Sequence, residues 1–449
     1  MNGDLSRTGV NVTFAKDEKN SLTSYGKLVY DAQNDPRFKG EEKAGRRIGF
    51  YRVIKDIGLG NFSRVKLALH LLAKEKVAIK ILDKTKLDAS TQRLLTREIT
   101  STDKLHHPNI IRLYEVIETP KEIYIVTEYA ANGDLYTHIT DKGKMSENEA
   151  KVIFAQIIAA VEHMHSKGIV HRDIKSENVF FAKEHLIKLG DLGFSTYTEK
   201  TQMLTTFCGS PPYAAPELYR DESYLGMYVD IWALGVTLYF MVTALMPFRG
   251  ENLTKLKNSI IDGNYSIPAY VSKPCQDLIH GLLCYEKLER WSMEQIRSCA
   301  WLTKQNFPKE YEPFELNLSY DWIALSKTKT LSAISPRTSF EYEVHLRLEE
   351  LGITSDIVKS RKNPDSDEKY LSTRDNINGT YRIILHRLQK QSTPLERDDL
   401  YGDGTFDDST IPRGRSMSVN IENRERKTKQ NLNNSFHAHP QRAKVCIIL

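Results

Sequence analysis

The chain is poor in cysteine. Five are spread over 449 residues (Cys208, Cys275, Cys284, Cys299 and Cys446), and no two form a C-x-x-C pair. That spacing offers neither a disulfide framework nor a zinc site, and it fits a reducing, intracellular compartment. Charge of one sign is also missing: 63 basic residues face 58 acidic ones, for a net charge of +5. Such a balance gives no reason to expect nucleic acid as a partner. Residues 1–25 carry no apolar core segment of the kind a signal peptide needs. The start reads Met-Asn-Gly, so the Met-Gly pattern of N-myristoylation is absent. The longest apolar run, Ile231 to Met246, is shorter than the ~20 residues of a membrane span, and Asp230 and Pro247 bound it. It reads as a buried helix.

What is present centres on residues 171–193. H-R-D-I-K-S-E-N occupies 171–178 and D-L-G occupies 191–193. Two acids and an amide, Asp173, Asn178 and Asp191, are thereby set at fixed intervals. Phosphoryl transfer needs such a set: one carboxylate for the hydroxyl proton, an amide oxygen and a second carboxylate for Mg²⁺. The run resembles the protein-kinase signature.

The other parts of that signature follow the same order. Tyr51, Val53 and Lys55 alternate with Arg52, Ile54 and Asp56 into G-L-G-N-F-S-R-V at 58–65, and alternation resumes at 65–69. A dinucleotide site would need a helix after the glycines, and a P-loop would need G-K-[ST]; neither occurs. A glycine hairpin that can close over phosphates remains. V-A-I-K at 77–80 ends an apolar strand in Lys80. Its ammonium needs a partner, and Glu98 on a helix expected over 90–105 supplies one. Ser146 and Glu149 have capping-box form at the head of a helix that Gly168 stops. Ala215-Pro216-Glu217 closes an activation segment.

The resemblance implies an α+β, two-lobed protein kinase fold over residues 51–302, with a small β-rich N-lobe and a larger α-helical C-lobe. It implies Mg-ATP as the phosphate donor. The nucleotide site would comprise Ile57, Gly58, Leu59, Gly60, Asn61, Phe62, Ser63, Val65, Ala78, Lys80, Glu98, Glu128 and Ala130, with Thr127 as gatekeeper. Asp173 would be the base, Lys175 would touch the γ-phosphate, and Asn178 and Asp191 would hold metal. Asp230 would brace the catalytic loop and Arg290 would pair with Glu217. Leu192 replaces the usual Phe and can fill its packing site. Thr206 sits where related kinases take an activating phosphate, with Arg172 as its partner and an upstream kinase of liver-kinase-B type implied. Cys208, close by, reads as a structural thiol. T-F-C-G-S-P-P-Y-A-A-P-E and the N-F-S-x-V loop are similar to the AMP-activated-kinase-related serine/threonine group. Asp134 and Glu177 match acidic positions that favour protein substrates with upstream Arg or Lys.

Outside 51–302, residues 1–45 are polar and expected to be disordered. Residues 303–340 read as a linker. Residues 341–390 resemble the small helical ubiquitin-associated-like domain of the group; a polar insertion at 361–375 interrupts the pattern, and a plain helical hairpin is the alternative. The tail from 391 to 445 reads as disordered. It opens acidic and ends basic, with eight Lys/Arg against two Glu over 409–449. Cys446-Ile447-Ile448-Leu449 has the form of a C-a-a-X box whose last residue favours geranylgeranyl transferase. One prenyl chain anchors weakly, so the basic stretch would be the second signal for a cytoplasmic membrane surface. The competing classes are a pseudokinase scaffold and an enzyme whose tail is only a soluble linker. Scaffolds of that kind commonly lack a member of the set Lys80, Glu98, Asp173, Asn178 and Asp191; this chain lacks none.

Overall fold

The computed structural model describes residues 21–59, 63–199, 201–314, 316, 336–361 and 372–393. Gly60, Asn61, Phe62, Cys446, most of the linker, the heart of the polar insertion and the tail from 394 lie outside the described residues.

The N-lobe is a six-stranded antiparallel sheet in the order β1-β2-β3-β4-β6-β5. Its strands are β1 (Arg47–Ile48), β2 (Tyr51–Leu59), β3 (Ser63–His70), β4 (Lys76–Asp83), β5 (Leu113–Glu118) and β6 (Glu122–Glu128). The alternation read at 51–56 and 65–69 becomes the β2–β3 hairpin, with Gly58 opposite Val65 and Val65 opposite Lys80 in β4. Helix α3 (Ala89–Asp103) carries Glu98.

The C-lobe is built on α5 and α7. Its helices are α4 (Leu135–Lys142), α5 (Glu147–Ser166), α6 (Glu217–Arg220), α7 (Gly226–Thr243), α8 (Leu253–Asp262), α9 (Lys273–Leu282) and α10 (Met293–Ser298). The short strands are β7 (Ile169–Val170), β8 (Val179–Lys183), β9 (Leu186–Leu189), β10 (Thr196–Tyr197), β11 (Met203–Leu204) and β12 (Tyr224–Leu225). Ser146 caps α5 as its sequence indicates, its side chain accepting from Glu149 N at 3.3 Å. Helix α7 is long and apolar enough to cross a membrane, yet 89% of it is buried inside the lobe. Trp301 closes the domain from within the core and donates its indole N–H to Glu147 Oε2 at 2.8 Å.

Three expectations need correction. Residues 24–43, expected to be disordered, form α1 (Ser24–Asn34) and α2 (Pro36–Lys43). Thr23 caps the first, and Asp35 with Pro36 starts the second. Tyr25, Leu28 and Phe38 are buried in the same core as the N-lobe sheet. Tyr25 meets Phe50 edge to face, and the Arg47 guanidinium lies over the Phe38 ring. The region read as a pure linker is partly packed: Tyr311, Phe314 and Leu316 are buried, and Tyr311 N donates to His106 O at 2.8 Å. The last folded unit runs wider than 341–390. It comprises α11 (Pro336–Leu351), α12 (Ser355–Lys359) and α13 (Asn376–Ser392), so the middle helix precedes the insertion.

These three helices pack on the outer face of the N-lobe, and α13 lies along edge strand β5. Val116 N of β5 donates to Thr373 O at 3.0 Å, which occupies an open sheet edge. The approach is close. A Cβ on Gly379 of α13 would fall 2.6 Å from Glu115 Oε2. That carboxyl accepts from Tyr51 OH at 2.5 Å and is otherwise enclosed. Burial pushes it up to about 7, against the hydrogen bond from Tyr51. Asp375 at the head of α13 adds a like charge, while the His70 ring beside Tyr51 is kept neutral by burial.

Because the folded pKa of Glu115 exceeds the unfolded value near 4.5, the folded chain holds a proton that the unfolded chain releases between about pH 4.5 and 7. The Glu115 contribution to stability falls as pH rises through that window, by roughly 3 kcal/mol at most. Histidines that burial keeps neutral, among them His70, His106, His107, His163, His345 and His386, add stability over the same window in any variant, so the Glu115 effect is read as a difference. In urea unfolding at pH 5 and pH 8, wild type should lose stability relative to Glu115→Gln on going to pH 8. An equal change in both proteins would exclude Glu115 as the source.

Candidate active site

Helix α5 delivers the chain through β7 to His171, and one buried carboxylate fixes the loop that begins there. Asp230 on α7 accepts from His171 N at 2.9 Å, Arg172 N at 2.8 Å and His165 Nε2 at 2.8 Å. Burial alone would raise its pKa; these donors outweigh burial and hold it below the ordinary Asp value. The clamp keeps Arg172 at φ 67, a left-handed conformation that a non-glycine residue adopts only when its surroundings impose it. Asp173 N donates to His171 Nδ1 at 3.2 Å, so His171 Nε2 carries the proton and donates to Gly190 O at 3.2 Å. The catalytic loop is thereby tied to the residue before Asp191.

Asp173 is buried with both oxygens engaged. Oδ1 accepts from Ser210 N at 2.8 Å and Oδ2 from Lys175 Nζ at 2.8 Å. Lys175 also donates to Ser210 Oγ at 2.9 Å. Asn178 Nδ2 donates to Asp173 O at 2.9 Å, which turns the amide oxygen away from the loop.

Lys80 brings the second half of the site to the first. Its ammonium lies 3.2 Å from Glu98 Oε1 and 3.8 Å from Asp191 Oδ1. Burial would lower its pKa, but the two carboxylates outweigh burial and hold it above the usual lysine value. Asp191 sits at φ 55, and its Oδ1 is buried without a hydrogen-bond partner. Leu192 is buried, filling the packing position expected of it. Among the described residues no cluster of three or more His, Cys, Asp or Glu could hold a metal by itself. The donor set of Asp191 and Asn178 nevertheless suits Mg²⁺, which takes one or two protein oxygens plus phosphate oxygens and water.

On the adenine side, Ala78 and Thr127 face each other across β4 and β6, and Thr127 Oγ1 approaches Ala78 O at 3.5 Å. Ile57 and Leu59 are exposed on the hairpin. Ser63 is buried at the start of β3, opposite Leu82. Glu128 and Ala130 lead from β6 towards α4.

The activation segment leans on the same loop. Gly209 has φ 102, and a Cβ there would fall 2.5 Å from Arg172 O. Thr206 is exposed, and its carbonyl accepts from Tyr224 OH at 2.7 Å. Arg172 reaches Phe194 O at 2.6 Å and Tyr224 OH at 3.4 Å, so it meets the segment through Tyr224 and not through the Thr206 side chain. Cys208 is buried and burial raises its thiol pKa, as a structural thiol requires. Arg290 and Glu217 form a fully buried bidentate pair at 2.6 and 2.8 Å. Asp134 and Glu177 have local roles: Asp134 caps α4 through Thr137 N at 2.7 Å, and Glu177 accepts from Tyr213 OH at 3.3 Å.

Sequence reasoning missed Lys188, whose side chain is 1% exposed and pairs with Glu128 at 3.0 Å. The signal was there: one lysine inside the apolar run L-I-K-L, just before Gly190-Asp191.

Comparison with known proteins agrees with this geometry. The family model described as protein kinase domain matches residues 51–302. Serine/threonine-protein kinase SIK1 of Mus musculus is 45% identical over 264 residues, covering 59% of this chain and 34% of the relative. The serine/threonine-protein kinase SIK3 homolog of Danio rerio is 39% identical over 344 residues, covering 77% and 28%. Serine/threonine-protein kinase SIK2 of Gallus gallus is 45% identical over 256 residues, covering 57% and 32%. The chain spans about a third of the length of the curated relatives it matches. With the matched domain covering more than half of its residues and the Lys80–Glu98, Asp173 and Asp191 groups assembled around one cleft, the chain belongs to the protein kinase family.

Proposed function

We propose that the chain is a serine/threonine protein kinase that transfers the γ-phosphate of Mg-ATP to protein hydroxyls. The observation that carries this reading is the intact set Lys80, Glu98, Asp173, Asn178 and Asp191, with Lys80 already paired to Glu98 at 3.2 Å. A pseudokinase scaffold would not need all five.

Bound Mg-ATP supplies the phosphoryl group and neutralises its charge. The chain's residues do the positioning. Lys80 grips the α- and β-phosphates, while Asp191 and the Asn178 amide oxygen present metal ligands. Asp173 orients the substrate hydroxyl and takes its proton as the new O–P bond forms and the bond to ADP breaks. Lys175, 2.8 Å from Asp173, faces the transferring group. Catalysis is then positioning and electrostatics, with turnover of roughly 1–100 per second.

Phosphorylation of Thr206 by an upstream kinase is the proposed switch. The residue is exposed, and Arg172 is linked to it through Tyr224. Protein substrates with upstream basic residues fit carboxylates at Asp134 and Glu177, and the three-helix unit takes the place of a ubiquitin-associated-like regulatory domain. Prenylation of Cys446, aided by the basic stretch before it, would tether the kinase to the cytoplasmic face of a membrane.

The test is radiolabelled phosphate transfer to a basic serine peptide, before and after treatment with a liver-kinase-B-type activator. Wild type should gain activity on treatment and Thr206→Ala should not. Asp173→Ala should lose about 10²–10⁴-fold while still binding nucleotide. Near-wild-type transfer by Asp173→Ala would remove it as the base. Detergent partitioning reads the anchor separately: wild type should enter the detergent phase and Cys446→Ser the aqueous phase, and equal partitioning would exclude prenylation.

A further inference from the structure

The side chain of Glu128 has no role in the catalytic set, yet it is 5% exposed and meets lysines from two elements, with a histidine and a backbone N–H beside them. Its Oε1 is 3.0 Å from Lys188 Nζ on β9 and 4.0 Å from Lys390 Nζ on α13. Its Oε2 accepts from Arg112 N at 3.4 Å and lies 4.0 Å from His386 Nε2, also on α13. His386 is held in place by Tyr114 of β5 at 2.8 Å, and burial among cations keeps it neutral. Lys390 is shared with Glu75 on the β3–β4 turn at 3.4 Å.

Each neighbour of this carboxylate reports on a different part of the molecule. Glu128 ends β6, and its backbone begins the segment between the lobes. Lys188 stands two residues before Gly190, whose carbonyl holds His171, and three before Asp191. Lys390 and His386 belong to the three-helix unit. A buried anion keeps one position only while its charge partners are in place. Moving it shifts the adenine edge and the strand that leads to Asp191 together.

We propose that Glu128 is a positioning residue that couples docking of α13 to nucleotide affinity, with Lys390 as the α13 contact that sets the coupling and Lys188 as the link to the Asp191 loop. The proposal rests on the kinase reading above and names a control point of that nucleotide site. Arg387 supplies the internal comparison. It anchors the same helix to Glu75 at 2.7 Å and has no contact with Glu128 among its hydrogen bonds and ion pairs. Coupling is reciprocal, so nucleotide must also strengthen the docking of α13.

The experiment measures the dissociation constant of a fluorescent ATP analogue with Mg²⁺ on the full chain. Lys390→Ala should weaken binding about fivefold, the low end of site-to-site coupling. Lys390→Arg should restore it, and Arg387→Ala should leave it at the wild-type value. In a Glu128→Gln background Lys390→Ala should have no further effect. Hydrogen exchange in residues 380–390 should slow when nucleotide binds to the wild type and not when it binds to Lys390→Ala. Equal affinities for wild type and Lys390→Ala, or equal weakening by Lys390→Ala and Arg387→Ala, would overturn the coupling. A wild type that binds nucleotide but transfers no phosphate would overturn the kinase reading alone.

Discussion

The site depends on one partly buried cation, Lys80, held between Glu98 and Asp191. A lysine at the end of an apolar strand is costly unless its charge is met. Glu98 meets it from α3 and Asp191 from the loop after β9. Three elements are thereby drawn to one point: the N-lobe sheet, the helix beside it and the Asp191 loop of the C-lobe. Removing Lys80 would leave both carboxylates without their cation, so the arrangement is maintained jointly. Asp230 performs the same service for the catalytic loop, turning two backbone N–H groups and a histidine inward. The two anchors meet at Gly190, whose carbonyl receives the His171 ring.

Around this centre, helices that precede and follow the matched domain add a support. The three terminal helices cover the outer face of the N-lobe, and the N-terminal helices join the same core. Arg361, just past α12, donates to Tyr25 OH at 2.9 Å, so the three-helix unit meets α1. Arg382 of α13 reaches Asp103, the last residue of α3, at 2.6 Å. One docked helix therefore contacts the end of the helix carrying Glu98, the edge strand β5 and the carboxylate of Glu128. The polar groups in that interface are costly to bury. Burial pushes Glu115 up to about 7, and His70 and His386 are kept uncharged by burial. Such a surface is specific about its partner, since an imperfect fit leaves polar groups unpaired.

The catalytic machinery was legible because its residues are close in sequence and their types are dictated by chemistry. H-R-D-I-K-S-E-N and D-L-G place a base, an amide and a carboxylate with little freedom to be anything else, and the structure brings Asp173, Asn178 and Asp191 to one cleft. The Glu217–Arg290 pair and the Asp230 brace were also readable, through the family pattern. Helices α1 and α2 were not. Their apolar residues, Tyr25, Leu28 and Phe38, are few, and their partners belong to other elements, from Arg47 and Phe50 nearby to Arg361 far along the chain. Lys188 was visible as a lone charge in an apolar strand, but nothing local identified Glu128 as its partner.

Whether the assembled carboxylates make a working Mg-ATP site is tested most directly by calorimetric titration of nucleotide with and without Mg²⁺. Mg²⁺ should tighten ATP binding to the wild type, and Asp191→Asn should lose most of that gain, while both proteins bind ATP measurably without the ion. Mg²⁺-independent binding of equal strength in both proteins would contradict the role given to Asp191 and, with it, the site as a whole.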